Sequence, residues 1–245
     1  MRLSCIIPAY NEEGCIADTV IQLYSALKQN NIEHEIRVIN DNSTDKTKEV
    51  LGKLKTRVPT LVVVDNNPPN GYGMAVRKGL ETFQGDSVCV CMADASDSPE
   101  DVIKFFRSNE HYDCVFGSRW TDGAQVIDYP RVKQFINRLA NYFISLLFWI
   151  KYTDVTNGFK MYRNYVIEEL KPFKSRHFDL AVEIPLKAIV RGYSYTVLPN
   201  SWTNREIGET KFNIAELGIR YLFTVLACFA EKWCSRGFVR KKKSE

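Results

Sequence analysis

Four short, nearly unbroken apolar runs punctuate the first half of the chain: residues 2–7, "HEIRVIN" (34–40), "TLVVVD" (60–65) and "SVCVCM" (87–92). A strand with one wet face alternates apolar and polar residues, whereas a strand apolar at successive positions needs cover on both faces. The stretches between these runs carry helical spacing instead. Ile16 to Leu27 places apolar residues at 16, 20, 23, 24 and 27, one buried stripe of a helix. Such alternation predicts an α/β fold, a mostly parallel sheet with helices on both faces, and "YDCVFGSR" (112–119) adds a fifth strand.

Boundary residues mark the connecting helices. Ser43 or Thr44 is placed to cap a helix running to about Lys55, a third helix spans about Met74 to Thr82, and Pro99 opens the next as a first-turn proline. The second half changes character. Residues from Pro130 to about Ile150 read as a long helix with Phe135, Leu139, Phe143, Leu146, Leu147 and Ile150 on one side. "KYTDVTNGFKMYR" reads as a loop and short strand, 178–191 as a helix, 193–199 as a strand, and about 214–233 as a second apolar helix. Glu216 and Arg220 interrupt that last helix, and neither apolar helix reaches the unbroken run of ~20 residues that spanning a bilayer needs. Both are suited to rest at a bilayer interface, with Trp149, Tyr221 and Trp233 as amphipathic anchors.

Charge is concentrated at one end. Six Lys/Arg (Lys232, Arg236, Arg240, Lys241, Lys242 and Lys243) against two acids in residues 231–245 account for the whole formal net charge of +4. The rest of the chain is neutral, which argues against a nucleic-acid-binding face; a basic tail behind an apolar helix suits an anionic membrane surface or a solubilising end. Seven cysteines without a CxxC, with Cys89 and Cys91 on one face of a strand, read as reduced packing thiols and a cytosolic compartment. The first apolar run stops at Pro8, too short for a secretory signal.

In open parallel sheets, ligands bind at the carboxyl ends of the strands. Three polar clusters fall there: Pro8 to Glu12, Asp41 to Asp45, and Asp94 to Asp97. Asp94 and Asp97 offer hard carboxylate oxygens for Mg²⁺ or Mn²⁺, though Asp97 or Ser98 also suits the cap of the helix that starts at Pro99. Asp41 serves either its own turn or a nucleobase or ribose. Gly71-Tyr72-Gly73 permits a close backbone approach to a ligand. Arg119, Arg205 and Lys211 are candidate clamps for phosphate oxygens, Arg by its rigid fork of donors. The chain contains no GxxxxGK[ST], GxGxxG or GxSxG, and His34, His111 and His177 lack metal spacing. An ATPase, a nicotinamide enzyme and a nucleophile-elbow hydrolase are thereby disfavoured.

Taken together, "CIIPAYNEEGCI", "VINDNSTDKT", "NPPNGYGMAVRKGLETFQGD", "VCVCMADASDSPEDV", "FGSRW", "DVTNGFKMYR", "FDLAVEIPLKA" and "NREIGETKF" resemble the family 2 glycosyltransferases, over about residues 3–212. Among these, the chain looks most like the dolichyl-phosphate mannose synthase-like polyprenyl-phosphate sugar transferases. The resemblance implies a GT-A fold, a nucleotide-sugar donor and Mg²⁺ or Mn²⁺. It implies a catalytic domain over 1–212, divided into a nucleotide-sugar half (1–120) and an acceptor half (121–212), then an amphipathic helix and basic tail (213–245). By motif, Pro8, Tyr10 and Glu12 match donor-binding residues, Asp41 the second acid of a DD pair, and Asp94 the second acid of the metal-binding DxD. Arg119, Arg205 and Lys211 match the basic residues around the donor phosphates. Two positions depart from the pattern: Asn40 and Met92 stand where the first acids of these pairs belong.

The implied reaction is inverting transfer of a sugar from its nucleotide to a polyprenyl phosphate at the cytoplasmic face of a membrane. Arg205, Lys211 and the cation would stabilise the leaving diphosphate. Two alternatives stay open: transfer to a saccharide hydroxyl, and a catalytically inactive nucleotide-sugar-binding module. A hydroxyl acceptor needs a carboxylate base, for which Asp154, Asp179 and Glu183 are the candidates. A lipid acceptor calls for the apolar faces at 135–150 and 214–230 to stand exposed around the cleft.

Overall fold

The computed structural model describes residues 1–203 and 214–234, apart from the side chains of 214–217. Its centre is a seven-stranded sheet. Strands β1 (Leu3–Ala9), β2 (His34–Asn40), β3 (Leu61–Asp65), β4 (Ser87–Val90) and β5 (Cys114–Ser118) come from the first half, β7 (Lys160–Arg163) and β8 (Tyr195–Pro199) from the second. The spatial order is β3-β2-β1-β4-β7-β5-β8. Only β7 runs antiparallel to its neighbours, β4 and β5. A separate two-stranded piece joins β6 (Val126–Ile127) to β9 (Trp202–Thr203).

The continuous apolar strands are explained by cover on both faces. Leu3, Cys5 and Ile7 of β1 point into one core together with Cys89 and Cys91. That core is covered by α1 (Ile16–Gln29), α2 (Thr47–Leu54) and α4 (Pro99–Ser108). Ile6 points the other way, with Val88, Phe116 and Tyr162. On that side lie α3 (Tyr72–Thr82), α5 (Arg131–Phe148), α6 (Asn164–Leu170), α7 (Leu180–Val190) and α8 (Ile214–Cys234). Leu3, Ile6 and Ile7 are fully buried, each contributing about 1.5–3 kcal/mol by leaving water. All seven cysteines are free thiols, and five of them are buried.

Chain direction reverses across the sheet between β1 and β4, since β2 and β3 lie to one side of β1 and every later strand of the sheet to the other. A crevice opens at such a switch point, outside the strands' carboxyl ends. The loops after β1, β2 and β4 all reach it.

Two details differ from the sequence reading. Helix α2 begins at Thr47 with no cap from Ser43 or Thr44. Those residues instead bind the neighbouring loop: Asn11 N donates to Ser43 Oγ (3.1 Å), and Thr44 N donates to Asn11 Oδ1 (2.8 Å). Helix α3 begins at Tyr72; Gly71 and Tyr72 line the crevice, while Gly73 makes room for the chain itself. A Cβ there would lie 2.5 Å from the Arg176 carbonyl carbon, so Gly73 lets segment 176–177 pack against the helix.

Candidate active site

One wall of the crevice is built from three stapled loops. Pro8 and Ala9 end β1, and the following turn is pinned to the loop after β2. Glu12 N donates to Thr47 Oγ1 (2.9 Å), and Glu13 N donates to Asp45 Oδ2 (3.1 Å). Tyr10 stands out from this turn, exposed at the rim. Asp41 is buried and already engaged, its Oδ1 accepting from Asn66 Nδ2 (2.7 Å) and its Oδ2 from Gly71 N (2.8 Å). It therefore shapes the loop between β3 and α3, where Asn70 and Gly71 line the crevice.

Asn40 has a local physical account. Its amide donates to Asp65 Oδ1 (2.8 Å) and its oxygen accepts from Ser43 N (3.3 Å). An aspartate there would set two carboxylates against each other, so the amide fits where a second acid would not.

Past β4, the main chain turns sharply through Ala95, which has a left-handed φ of 55°. Asp94 Oδ1 accepts from Ser96 N (3.2 Å), and Asp97 Oδ2 accepts from Met92 N (2.9 Å). The choice of helix cap falls on Ser98, whose side chain accepts from Glu100 N. Asp97 is thus released from capping. Its carboxyl is pushed well above the usual range by burial and by the Cys91 sulfur, against the Met92 N–H, with Asp94 and Asp101 adding repulsion. Two carboxylates that repel one another at a cleft wall are a donor set that a hard divalent cation suits, completed by phosphate oxygens. Asp94 and Asp97 thus fit Mg²⁺ or Mn²⁺, whereas the thioether of Met92 does not.

A second wall is organised by a buried ion pair. Arg119 Nε and Nη2 donate to Asp154 Oδ2 (2.9 Å) and Oδ1 (2.7 Å), and Arg119 N donates to Oδ2 (2.8 Å). Burial opposes the guanidinium's charge, but Asp154 holds it more firmly protonated than usual. Beyond this pair, Lys160 is buried with its ammonium on the carbonyls of Val155, Asn157 and Ala181. Asn137 and Asn141 both donate to Thr156 Oγ1 (2.8 Å each), tying α5 to the 154–158 loop.

A cleft of about 920 Å³ runs between these walls. Of the residues singled out from the sequence, Pro8, Tyr10, Glu12, Asp41, Asp94, Asp97 and Arg119 line it. Arg205 and Lys211 lie outside the described residues. The three candidate bases are not brought to it. Asp154 is fully buried behind Arg119. Asp179 accepts from His177 N (3.1 Å) and Thr224 Oγ1 (3.1 Å). Glu183 is buried, and although burial works to raise its pKa, bonds from Lys187, Lys174 N and Ser175 N hold it below the usual range. Each carboxylate is spent on local structure, and none lines the cleft.

Lys133, Asn137, Thr156, Tyr129 and Trp202 also line the cleft and were not singled out from the sequence. A signal for one existed: Asn137 and Asn141 stand four apart on a helix otherwise rich in apolar residues, the spacing of a polar buried stripe.

That helix presents its faces in an unusual sense. Asn141 and Ser145 are buried with Ile144 and Phe148, while Phe135, Leu139 and Trp149 are 70%, 60% and 90% exposed. Helix α8 docks beside it, Lys232 Nζ donating to Phe148 O (2.9 Å) at the end of α5, and exposes Ile219, Leu222, Phe223 and Leu226. Ile136 and Ala140 carry this apolar surface into the cleft.

A mostly parallel sheet interrupted by one antiparallel strand, with a crevice at its switch point, is the architecture of the GT-A glycosyltransferase fold. The chain belongs to glycosyl transferase family 2, whose family model matches residues 4–171. It is 29% identical over 236 residues to the polyprenol monophosphomannose synthase of Mycolicibacterium smegmatis, covering 89% of this chain and 88% of that one. It is 26% identical over 240 residues to the undecaprenyl-phosphate mannosyltransferase of Micrococcus luteus, covering 95% and 96%. In fold it is similar to glucosyl-3-phosphoglycerate synthase from Mycobacterium tuberculosis, crystallised with Mn²⁺, UDP-glucose and phosphoglyceric acid. The TM-score there is 0.69 at 18% identity, over 94% of this chain and 80% of that one. A structure of the same synthase with Mg²⁺ and UDP gives 0.69 at 17% identity, over 94% and 79%.

Proposed function

We propose that the protein transfers a sugar, with inversion, from a nucleotide-sugar donor to a polyprenyl phosphate while resting on a membrane surface. The observation that carries this reading is the exposed apolar face of α5 and α8, continuous with the cleft through Ile136 and Ala140. A globular protein rarely exposes so much contiguous apolar surface without a partner for it. Among the described residues no helix is long and apolar enough to cross a membrane, so this face would lie on lipid rather than span it. Two relatives point the same way, one named a polyprenol monophosphomannose synthase and the other an undecaprenyl-phosphate mannosyltransferase.

The acceptor chemistry agrees. A lipid phosphate is already ionised near neutral pH and attacks without a base, whereas a saccharide hydroxyl must lose a proton. Among the described residues, Asp154, Asp179 and Glu183 are all committed elsewhere. The acids lining the cleft, among them Glu12, Asp41, Asp94 and Asp97, stand on the nucleotide side.

In the step itself, an acceptor phosphate oxygen forms a bond to the anomeric carbon as the bond to the donor diphosphate breaks. The electron pair leaves on the nucleoside diphosphate. Pro8, Tyr10, Glu12 and Asp41 shape the nucleotide end. Asp94 and Asp97 would hold a divalent cation, which supplies charge stabilisation to the diphosphate. Lys133, at the first turn of α5, offers positive charge toward the acceptor side, and Arg205 and Lys211 are assigned to the leaving group. The amphipathic helix and basic tail, 213–245, would hold the catalytic domain, 1–212, at the cytoplasmic face of the membrane.

The experiment is a panel of nucleotide sugars incubated with short polyprenyl phosphates and either cation, read by product mass. Glycosyl polyprenyl phosphate is the expected product. Transfer only to free saccharides would replace this reading, and no transfer with any pair would reject it.

A further inference from the structure

We propose that Trp202, backed by Tyr129, is the residue that positions the donor sugar, by stacking under the C–H face of the pyranose ring. The inference rests on the nucleotide-sugar reading above and adds to it a site for the sugar itself.

The first argument is location. The main chain of Trp202 forms an antiparallel bridge with Asp97, and Thr203 N donates to Ser96 O (3.4 Å). Trp202 therefore sits directly on the acid loop. Trp202 lines the cleft, as does Tyr129. On the reading above, the nucleotide end of the cleft is at Asp41 and Gly71 and the apolar acceptor end begins at Ile136 on α5, all three being lining residues. Between them, next to the carboxylates that face the diphosphate, is where the sugar must lie, since it is bonded to the terminal phosphate.

The second argument is that the platform is built. Trp202 N donates to Gln125 O (2.8 Å), and β9 pairs with β6, so the backbone is held on both sides. The Trp202 and Tyr129 rings are 4.9 Å apart at 58°. Behind Tyr129, the Arg119 guanidinium lies 5.5 Å from the ring centroid, itself fixed by Asp154. A chain of contacts from a buried ion pair to a cleft aromatic leaves the ring few alternative positions.

The third argument is chemical complementarity. A pyranose carries hydroxyls around its edge and C–H groups on its faces. An indole offers a large, stiff, weakly negative face to those C–H groups at low entropic cost. Neither a nucleoside diphosphate nor a polyprenyl phosphate head offers such a surface at that position.

The test compares the full-length wild type with Trp202→Ala and Trp202→Phe. Calorimetry would measure binding of UDP- and GDP-hexoses and of UDP and GDP alone, each with Mn²⁺, alongside the KM for polyprenyl phosphate. Trp202→Ala should weaken the nucleotide-sugar by about 10-fold while leaving the nucleoside diphosphate within about two-fold. Trp202→Phe, which keeps an aromatic face and the β9 pairing, should recover most of the loss. Equal weakening of both ligands in both variants would show a role in holding the acid loop only and overturn the inference. A raised KM for polyprenyl phosphate with donor binding unchanged would overturn it in favour of a lipid wall. Failure of the wild type to bind any nucleotide-sugar would instead remove the functional reading, and this inference with it.

Discussion

Arg119 and Asp154, 35 residues apart in sequence, form a bidentate pair with both side chains nearly removed from solvent, and Arg119 N donates a third bond to the same carboxylate. The pair joins the end of β5 to the loop that carries Thr156 and Asn157 into the cleft. A buried charge that loses its partner costs about 3–5 kcal/mol. Asp154→Asn should therefore lower the unfolding free energy by an amount in that range, measured by urea titration. If Asp154 were a general base, its loss would also remove a limb of the pH–rate profile. The expected outcome is a lower rate with the profile's shape retained.

The acid loop separates a binding role from a capping role. Asp94→Ala and Asp97→Ala should each lose most transfer activity and weaken Mn²⁺ affinity, since both carboxylates are assigned to the cation. Ser98→Ala should cost about 1 kcal/mol of stability through the lost cap and leave transfer near wild type. Near-wild-type transfer by Asp94→Ala at saturating donor would remove its metal role.

The Asn40 amide donates to the Asp65 carboxylate at 2.8 Å. Asn40→Asp replaces that bond with two like charges and should cost on the order of 1 kcal/mol at pH 7. The introduced carboxyl has a raised pKa in the folded state, so the penalty is complete above that pKa. It should vanish as pH falls toward about 4, where the unfolded state also takes up the proton. Thermal unfolding of both proteins across this range checks the sign.

Lys160 gives a second pH signature. Burial, opposed by Asp154 and aided by Arg119, pushes its pKa from 10.5 down to about 7. Between those values the unfolded chain holds a proton that the folded chain has released, so stability rises with pH there. The slope of unfolding free energy should exceed that of Lys160→Met by up to about 1.4 kcal/mol per pH unit between about pH 7.5 and 9.5. Equal slopes would show that the ammonium keeps its proton through its three carbonyl partners.

The membrane surface divides into an apolar and an electrostatic part. Leu139 and Leu146 are exposed on α5, so Leu139→Glu with Leu146→Glu should leave the unfolding midpoint nearly unchanged and weaken liposome binding at every salt concentration. Ending the chain at Phe238 removes Arg240, Lys241, Lys242 and Lys243, each worth about 1 kcal/mol near an anionic surface. That truncation should weaken binding to anionic liposomes at low salt and matter less as screening increases. It should raise the apparent KM for membrane-embedded polyprenyl phosphate and leave nucleotide-sugar binding unaltered. Flotation at two salt concentrations reads both effects.

What the sequence determined by itself is what short-range pattern encodes. Unbroken apolar runs at strand length, separated by helical spacing, call for a sheet covered on both faces, and the carboxyl ends of its strands then place Pro8, Asp41 and Asp94 at one edge. Tertiary structure decided what depends on partners distant in sequence. Nothing local to Arg119 or Asp154 marks them as one ion pair. Ser98 rather than Asp97 took the cap because Asp97 found the Met92 N–H across the loop. The period of α5 defined two faces, but only its neighbours decided that the asparagine face turned inward, where Thr156 satisfies its amides, leaving the apolar face outside. Periodicity is a property of one segment; burial and charge pairing belong to the segments that meet it.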